Sequence, residues 1–579
     1  MAYIVTRHLH LYRPPRCEVN LSESGEPGAL AIRPTSPFAC QEARAEVAAR
    51  RGPGLIALFT TVAGFGLLAN VLGYLREIAL AASYGSSATT DAFFGAVFIP
   101  NTLYTIIASG AGAAVLVPVL VEYRQKGDAE ARELALTLLN LTSLILLILT
   151  LALTLTSSFW IRLVFPGFAS GTNRLAVDLA WVLNPSVLFL SVAAILAGVL
   201  NAFGHFRVVA VAPCIGNVVT VLAICMSAHW GGIQGAALGV AIGALVQFAV
   251  MAWMAFSRAV RYKMRLRIGH PGVKAFAGMA APTIAYLVVA YLSLTAERVF
   301  ASGFSPGALS MLSYAMRLFV LPASIVAGSI ATVLHTEFSV FASRGEMDQL
   351  GVSFRRGVDL AILVLIPVSI GALVFSRTIV AAAYGYGKFS GENVGTTAAT
   401  FAAYSLGIIP LALATLCQRL FYALRMPRML LIIECAAFAV YLITAPALGR
   451  LFSLPGLALA RSGSFFLVGG LSLAFAVSSL APQYRRVWLI AQFGRCGLAA
   501  VPTTLFWIAL AAETSRMDPS AAGWARLFVL VAGGSVGAAL YLAVAHALRC
   551  READNVIRGG VGLIAQAARG IRRVKSFAS

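Results

Sequence analysis

Residues Leu134–Ser157 read LALTLLNLTSLILLILTLALTLTS, without one charged side chain. A run of that length matches the roughly 20 apolar residues that carry a helix across a hydrocarbon core about 30 Å thick. Its apolar residues are continuous rather than alternating, which excludes the strand of a transmembrane β-barrel. A helix remains, because it satisfies its backbone N–H and C=O groups within the segment.

Outward from this stretch the pattern repeats. Apolar spans lie at 55–81, 92–121, 134–157, 178–200, 209–229, 232–257, 273–295, 306–334, 357–376, 397–424, 428–448, 455–479, 487–511 and 525–548. The sequence thus predicts an all-α polytopic membrane protein of about 14 transmembrane helices. Composition agrees: 59% of the 579 residues are hydrophobic, 12% are charged and the mean hydropathy is +0.84. A soluble domain is about one-quarter charged, and no soluble fold can hide so much apolar surface.

The net charge of +21 would suggest a nucleic-acid partner in a soluble protein. Position argues otherwise. Arg124, Lys126 and Arg132 form one basic loop, Arg258 to Arg267 a second, Arg344, Arg355 and Arg356 a third, and Arg485 and Arg486 a fourth. Sparsely charged loops such as Ala82–Thr90 alternate with them. The positive-inside rule makes the basic loops cytoplasmic, which places both termini in the cytoplasm and the chain in an inner membrane. Membrane lipids, not nucleic acid, are the partners of this charge.

Residues 1–51 are rich in Pro and mixed charge and predict a disordered cytoplasmic extension without a signal-peptide pattern. Residues 549–579 form a basic cytoplasmic tail. The eight cysteines are scattered without metal-ligand spacing and read as small buried hydrophobes. No Walker loop, HExxH or nucleophile elbow occurs, so neither an enzyme nor a bound cofactor is expected. Transport would then draw on a monovalent-cation gradient, the membrane potential or the gradient of the cargo itself.

Ionisable residues inside apolar spans cost several kcal/mol and mark function by default. Those singled out are Arg76 and Glu77 in the first span, Asp91 opening the second, Glu297 and Arg298 ending the seventh, Arg317 in the eighth, Arg419 in the tenth and Glu434 in the eleventh. Glu297–Arg298 reads as a salt bridge at the outer interface. Arg317, flanked by Tyr314-Ala315-Met316 and Leu318-Phe319-Val320, predicts a water-filled cavity. Guanidinium groups facing such a cavity suit a phosphate-bearing anion, which they grip bidentately.

The residues then take on a familiar order. Val71-Leu72-Gly73-Tyr74-Leu75-Arg76-Glu77, Thr90-Asp91-Ala92-Phe93-Phe94, Ile99-Pro100-Asn101-Thr102-Leu103, Phe165-Pro166-Gly167-Phe168 and Tyr314-Ala315-Met316-Arg317-Leu318 together resemble the MurJ/MviN lipid II flippases of the multidrug/oligosaccharidyl-lipid/polysaccharide exporter superfamily. The resemblance implies two lobes around a central cavity: 52–272 as the N-lobe, 273–424 as helices 7–10 and 425–548 as helices 11–14. It further implies a monomer that exports a polyprenyl-pyrophosphate-linked glycan by alternating access. Arg76, Asp91 and Arg317 match charged residues of the family's cavity, with Asp91 orienting the gate. Asn70 and Tyr104 stand where the family carries arginine, and Ser109, Met316 and Val320 replace acidic residues. Glu297 falls at the place of a cation-binding aspartate in some members, and Glu434 is a second candidate for cation coupling. Because several cavity charges are missing, an exopolysaccharide or O-antigen unit is an alternative cargo, and a transport-inactive paralogue an alternative role. A cation-coupled drug antiporter is disfavoured by the basic cavity.

Overall fold

A computed structural model describes residues 54–480, 487–515 and 523–558, apart from 111, 112, 261, 265, 268, 390, 425, 551 and 555. The extension read at 1–51 and the tail beyond 558 lie outside the described residues. Eighteen α-helices follow one another among the described residues. The first nine are α1 (Gly54–Tyr84), α2 (Ala88–Gly110), α3 (Ala113–Lys126), α4 (Asp128–Leu155), α5 (Ser157–Val164), α6 (Ser170–Leu183), α7 (Pro185–Ala202), α8 (Phe206–Trp230) and α9 (Gly232–Met254). A π-helical turn, Ala255–Ala259, ends this set. The second nine are α10 (Pro271–Ser302), α11 (Ala308–Arg344), α12 (Met347–Val374), α13 (Ser376–Tyr384), α14 (Gly391–Ser405), α15 (Ile408–Ala423), α16 (Pro427–Leu480), α17 (Val487–Ser515) and α18 (Gly523–Ala547). No strand occurs among the described residues.

Among the described residues, twelve helices or helix pairs are long and apolar enough to cross a membrane, thirteen if α14 and α15, bent by 46°, count as one span. The longest, Arg428–Leu480, has 53 residues. At 1.5 Å per residue it would measure about 80 Å, over twice the thickness of a hydrocarbon core. It is no single rod. Ser453 breaks it with φ 55° and ψ −136°, and the chain then folds back so that Ser464 Oγ donates to Ala437 O at 3.4 Å. The count of twelve to thirteen, with this hairpin inside one of them, lies close to the expected fourteen.

The helices bury one side and offer the other to lipid. On α4, Ile148, Leu151 and Leu155 are exposed at helical spacing, whereas Leu134, Leu138 and Leu139 are buried. The expected span 92–121 is helical up to Gly110 in α2 and again from Ala113 in α3, with residues 111 and 112 outside the described residues. The expected span 178–200 starts earlier: α6 and α7 cross together over Ser170–Ala202, joined at Asn184-Pro185, where Pro at the first helical position needs no N–H partner. The short helices α5 and α13 were not foreseen; each is amphipathic and runs between spans.

Helices α1–α9 pack into one bundle and α10–α18 into another. Apart from α10, whose first half packs on the first bundle, their cores meet at one end only. A large buried apolar cluster runs from Leu80, Phe93 and Phe165 of the first bundle into Tyr314, Phe319 and Tyr404 of the second. A separate cluster around Val119, Leu134, Leu196 and Phe276 fills the other end of the first bundle and the start of α10. That second end carries the basic loops, where Arg124 Nε pairs with Asp128 Oδ1 and Arg267 Nη1 with Glu133 Oε1. The bundles are thus joined at the end opposite the basic loops.

Candidate functional site

The joined end is closed by backbone as well as by apolar surface. Lys388 N donates to Ala82 O at 3.0 Å, and Gly167 N donates to Ser302 Oγ at 3.3 Å. Two glycines permit this approach. Gly387 has φ 59°, and a Cβ there would lie 2.2 Å from Ala82 O. Gly307 has φ 95°, and a Cβ there would lie 2.9 Å from Ser86 Oγ. Both need the left-handed conformation that glycine adopts freely.

Asp91 sits in this closure. It is 5% exposed. Its Oδ2 accepts from Gly307 N and its Oδ1 from Ser310 N, each at 2.7 Å. These amides begin α11, where backbone N–H groups have no helical partner and the helix dipole favours an anion. Asp91 therefore caps a helix of the other bundle from the first turn of α2. Ser86 Oγ donates to Gly307 O at 2.8 Å and completes the joint.

Deeper along the seam the bundles meet through Arg317. Tyr74 OH donates to Arg317 O at 2.6 Å, and the Arg317 guanidinium lies 5.1 Å from the centre of the Tyr74 ring. Its Nη2 rests so near α1 that a Cβ on Gly73 would stand 3.1 Å away. Arg317 Nε is buried and makes no hydrogen bond. Arg76 lies three residues after Gly73 and bonds Glu77 Oε1 at 2.9 Å, with the two side chains 29% and 12% exposed. Residues three and four apart share a helix face, so both guanidiniums border the same part of α1.

The other expected residues are distributed around this point. Asn70, one turn from Gly73, is exposed and donates only to Gly66 O of its own helix. Tyr104 is half-buried on α2. Arg419 is half-buried on α15, with a buried Nε that makes no hydrogen bond. Glu434 is half-buried on the first half of α16, within electrostatic reach of Arg461 and Tyr286.

Glu297 and Arg298 are not a pair at an outer interface. Neighbours on a helix point about 100° apart, and these two turn to different surroundings. Glu297 Oε2 accepts from Arg461 Nε at 3.2 Å and Oε1 from Tyr404 OH at 2.6 Å. Arg461 also donates to Ser293 Oγ at 2.5 Å and to Ser293 O, and its guanidinium covers the Tyr441 ring at 4.1 Å. The Arg461 and Glu297 side chains are 4% and 2% exposed. Arg298 instead reaches α11, donating to Ser313 Oγ at 2.6 Å.

Arg461 was missed by the sequence reading. Its signal was a lone charge inside the expected span 455–479, as conspicuous there as Arg317 in its own span. Asp359, buried in α12 and bonded to Trp488 Nε1 at 2.9 Å, was overlooked in the same way.

Known proteins share this architecture. The lipid II flippase MurJ of Burkholderia cenocepacia is 28% identical over 375 residues, covering 63% of this chain and 72% of that protein. A solved lipid II flippase MurJ in an inward closed conformation superposes with a TM-score of 0.68 at 22% identity, covering 83% of this chain and 98% of the other. An inward-facing multidrug resistance MATE transporter of the MOP superfamily gives 0.63 at 15% identity, covering 72% and 96%. The family profile described as "Lipid II flippase MurJ" matches residues 80–519. With that match over most of the sequence, and with the fold to go with it, the chain belongs to the MurJ lipid II flippase family.

Proposed function

We infer that this protein flips undecaprenyl-pyrophosphate-linked peptidoglycan precursor, lipid II, across a bacterial inner membrane by alternating access. Family membership supports the cargo. The observation that carries the mechanism is the Arg317 guanidinium of one bundle lying against Gly73 and Tyr74 of the other, beside Arg76. A pyrophosphate entering this seam replaces weak ring and backbone contacts by charge-assisted hydrogen bonds, each worth roughly 1.5–3 kcal/mol. Arg317 then leaves α1, and the two bundles are free to rock.

The basic loops orient the molecule, so the closed end faces the periplasm, both termini face the cytoplasm and the cargo enters from the cytoplasmic side. Asp91 is the gate residue in this reading, since opening must part its carboxylate from the first turn of α11. The chain acts as a monomer and catalyses no covalent step. The drive is the membrane potential or a monovalent-cation gradient. Glu434 is the carboxylate retained for cation coupling, because Glu297 is already met by Arg461.

Rescue of a bacterium depleted of its own lipid II flippase tests the reading. Wild type restores growth, and Arg317→Ala at equal membrane level does not. A well-expressed wild type that fails to rescue rejects lipid II as cargo and turns attention to another polyprenyl-linked glycan, a reading that the uncharged Asn70 and Tyr104 would then favour.

A further inference from the structure

Arg298 is a guanidinium in a membrane-spanning helix that meets no carboxylate among the described residues. It stands one residue from Glu297, yet that carboxylate is taken by Arg461 and Tyr404. Its contacts are Ser313 Oγ at 2.6 Å, Leu309 O at 3.5 Å and the face of Phe98, whose centre lies 5.5 Å away. Only Nη1 is engaged in these hydrogen bonds, which leaves the rest of a five-donor group unused among the described residues. An arginine in lipid surroundings costs several kcal/mol, and one hydroxyl and one carbonyl do not offset that.

Its place is more telling than its partners. Ser313 precedes Arg317 by one helical turn on the same face of α11, and Phe98 belongs to α2, in the other bundle. Arg298 therefore stands at the seam, between the Asp91 closure and the Arg317 guanidinium. A ligand held by Arg317 against α1 would find its next donors there.

We propose that Arg298 is a third phosphate-binding group, which with Arg317 and Arg76 spans the two phosphates of a polyprenyl diphosphate under the closed periplasmic gate. This rests on the reading of the chain as a flippase for such lipids. One guanidinium suffices for a monophosphate, whereas a diphosphate reaches from Arg317 to Arg298. Arg298 thus sets the preference for diphosphate over monophosphate.

Binding of farnesyl diphosphate and farnesyl monophosphate to the purified protein in detergent, at fixed salt, tests this. Wild type is expected to bind the diphosphate at least tenfold tighter than the monophosphate. Arg298→Gln should reduce that ratio to about one while leaving monophosphate affinity nearly unchanged, and Arg298→Lys should keep an intermediate ratio. Arg317→Gln should weaken both ligands. If Arg298→Gln keeps the wild-type ratio while Arg317→Gln loses binding, Arg298 is only a tie between helices and the flippase reading survives. If wild type ignores both ligands, that reading falls and this proposal with it. Should Arg298→Gln not fold, the ratio of the charge-retaining Arg298→Lys decides, and a wild-type value there overturns the proposal.

Discussion

Arg461 and Arg317 are both arginines inside apolar helices, and they live in opposite surroundings. Arg461 is sealed within the second bundle, with Glu297, Ser293 and the Tyr441 ring around its guanidinium. Arg317 lies between the bundles, packed on Tyr74 and Gly73, with an Nε that makes no hydrogen bond. The first arrangement is electrostatically complete and ties α10 to α16, with Tyr404 bringing in α14. The second is incomplete and calls for an anion. A charge in the membrane therefore marks function only when its partners are lacking.

The largest effect expected from breaking this contrast is on the sealed pair. Arg461→Ala leaves Glu297 buried without its counter-charge, and removal of one partner of a buried pair costs about 3–5 kcal/mol. Thermal unfolding in detergent should show a marked fall in midpoint. The double variant Arg461→Met with Glu297→Leu should recover most of it, because replacement of both partners by apolar groups is close to neutral. A double variant no better than the single would mean that the pair's hydrogen bonds, not its charges, hold the bundle.

Arg317→Ala should do the reverse. Net loss of one charge-assisted hydrogen bond to the cargo weakens lipid II binding by about ten- to a hundredfold, and the unfolding midpoint should move little. An equal fall in midpoint for Arg317→Ala and Arg461→Ala would erase the distinction.

A smaller effect is expected at the gate. Asp91→Asn keeps the shape but removes the negative charge from the start of α11, a change worth about 1 kcal/mol. Amide exchange at Gly307 and Ser310 should quicken about fivefold by mass spectrometry, while the Glu297 region stays unchanged. Unaltered exchange at both amides would show that the apolar core alone closes this end. The smallest effect belongs to Asn70→Arg, on the exposed part of the same α1 face. A solvated cation there should tighten lipid II binding only a few-fold, and that gain should disappear at high salt.

Much of the fold was legible from the uncharged run 134–157 and its repeats, because a bilayer imposes one length and one secondary structure on every crossing. Helix breaks were less legible. The turn at Ser453 does fall in the gap between the expected spans 428–448 and 455–479, but the junction at Asn184-Pro185 lies inside the expected span 178–200 and gave no warning, since proline is tolerated inside membrane helices. Of the seam, Arg76, Arg317 and Asp91 could be named as charges in apolar surroundings. Partners could not. Asp91 finds its donors at Gly307 and Ser310, and Glu297 finds its cation at Arg461, both through packing of helices distant in sequence. Adjacency misled at Glu297–Arg298, where helical rotation separates two side chains that a linear reading joins.

The central claim is that the seam arginines carry a lipid-linked pyrophosphate across the bilayer. Fluorescent lipid II in sealed vesicles holding the purified protein addresses it directly, with a membrane-impermeant quencher outside and a membrane potential imposed. The account predicts that wild type brings inner-leaflet lipid II into reach of the quencher, whereas Arg317→Ala, equally folded and equally inserted, leaves it protected as in protein-free vesicles. Equal exposure by wild type and Arg317→Ala would contradict it.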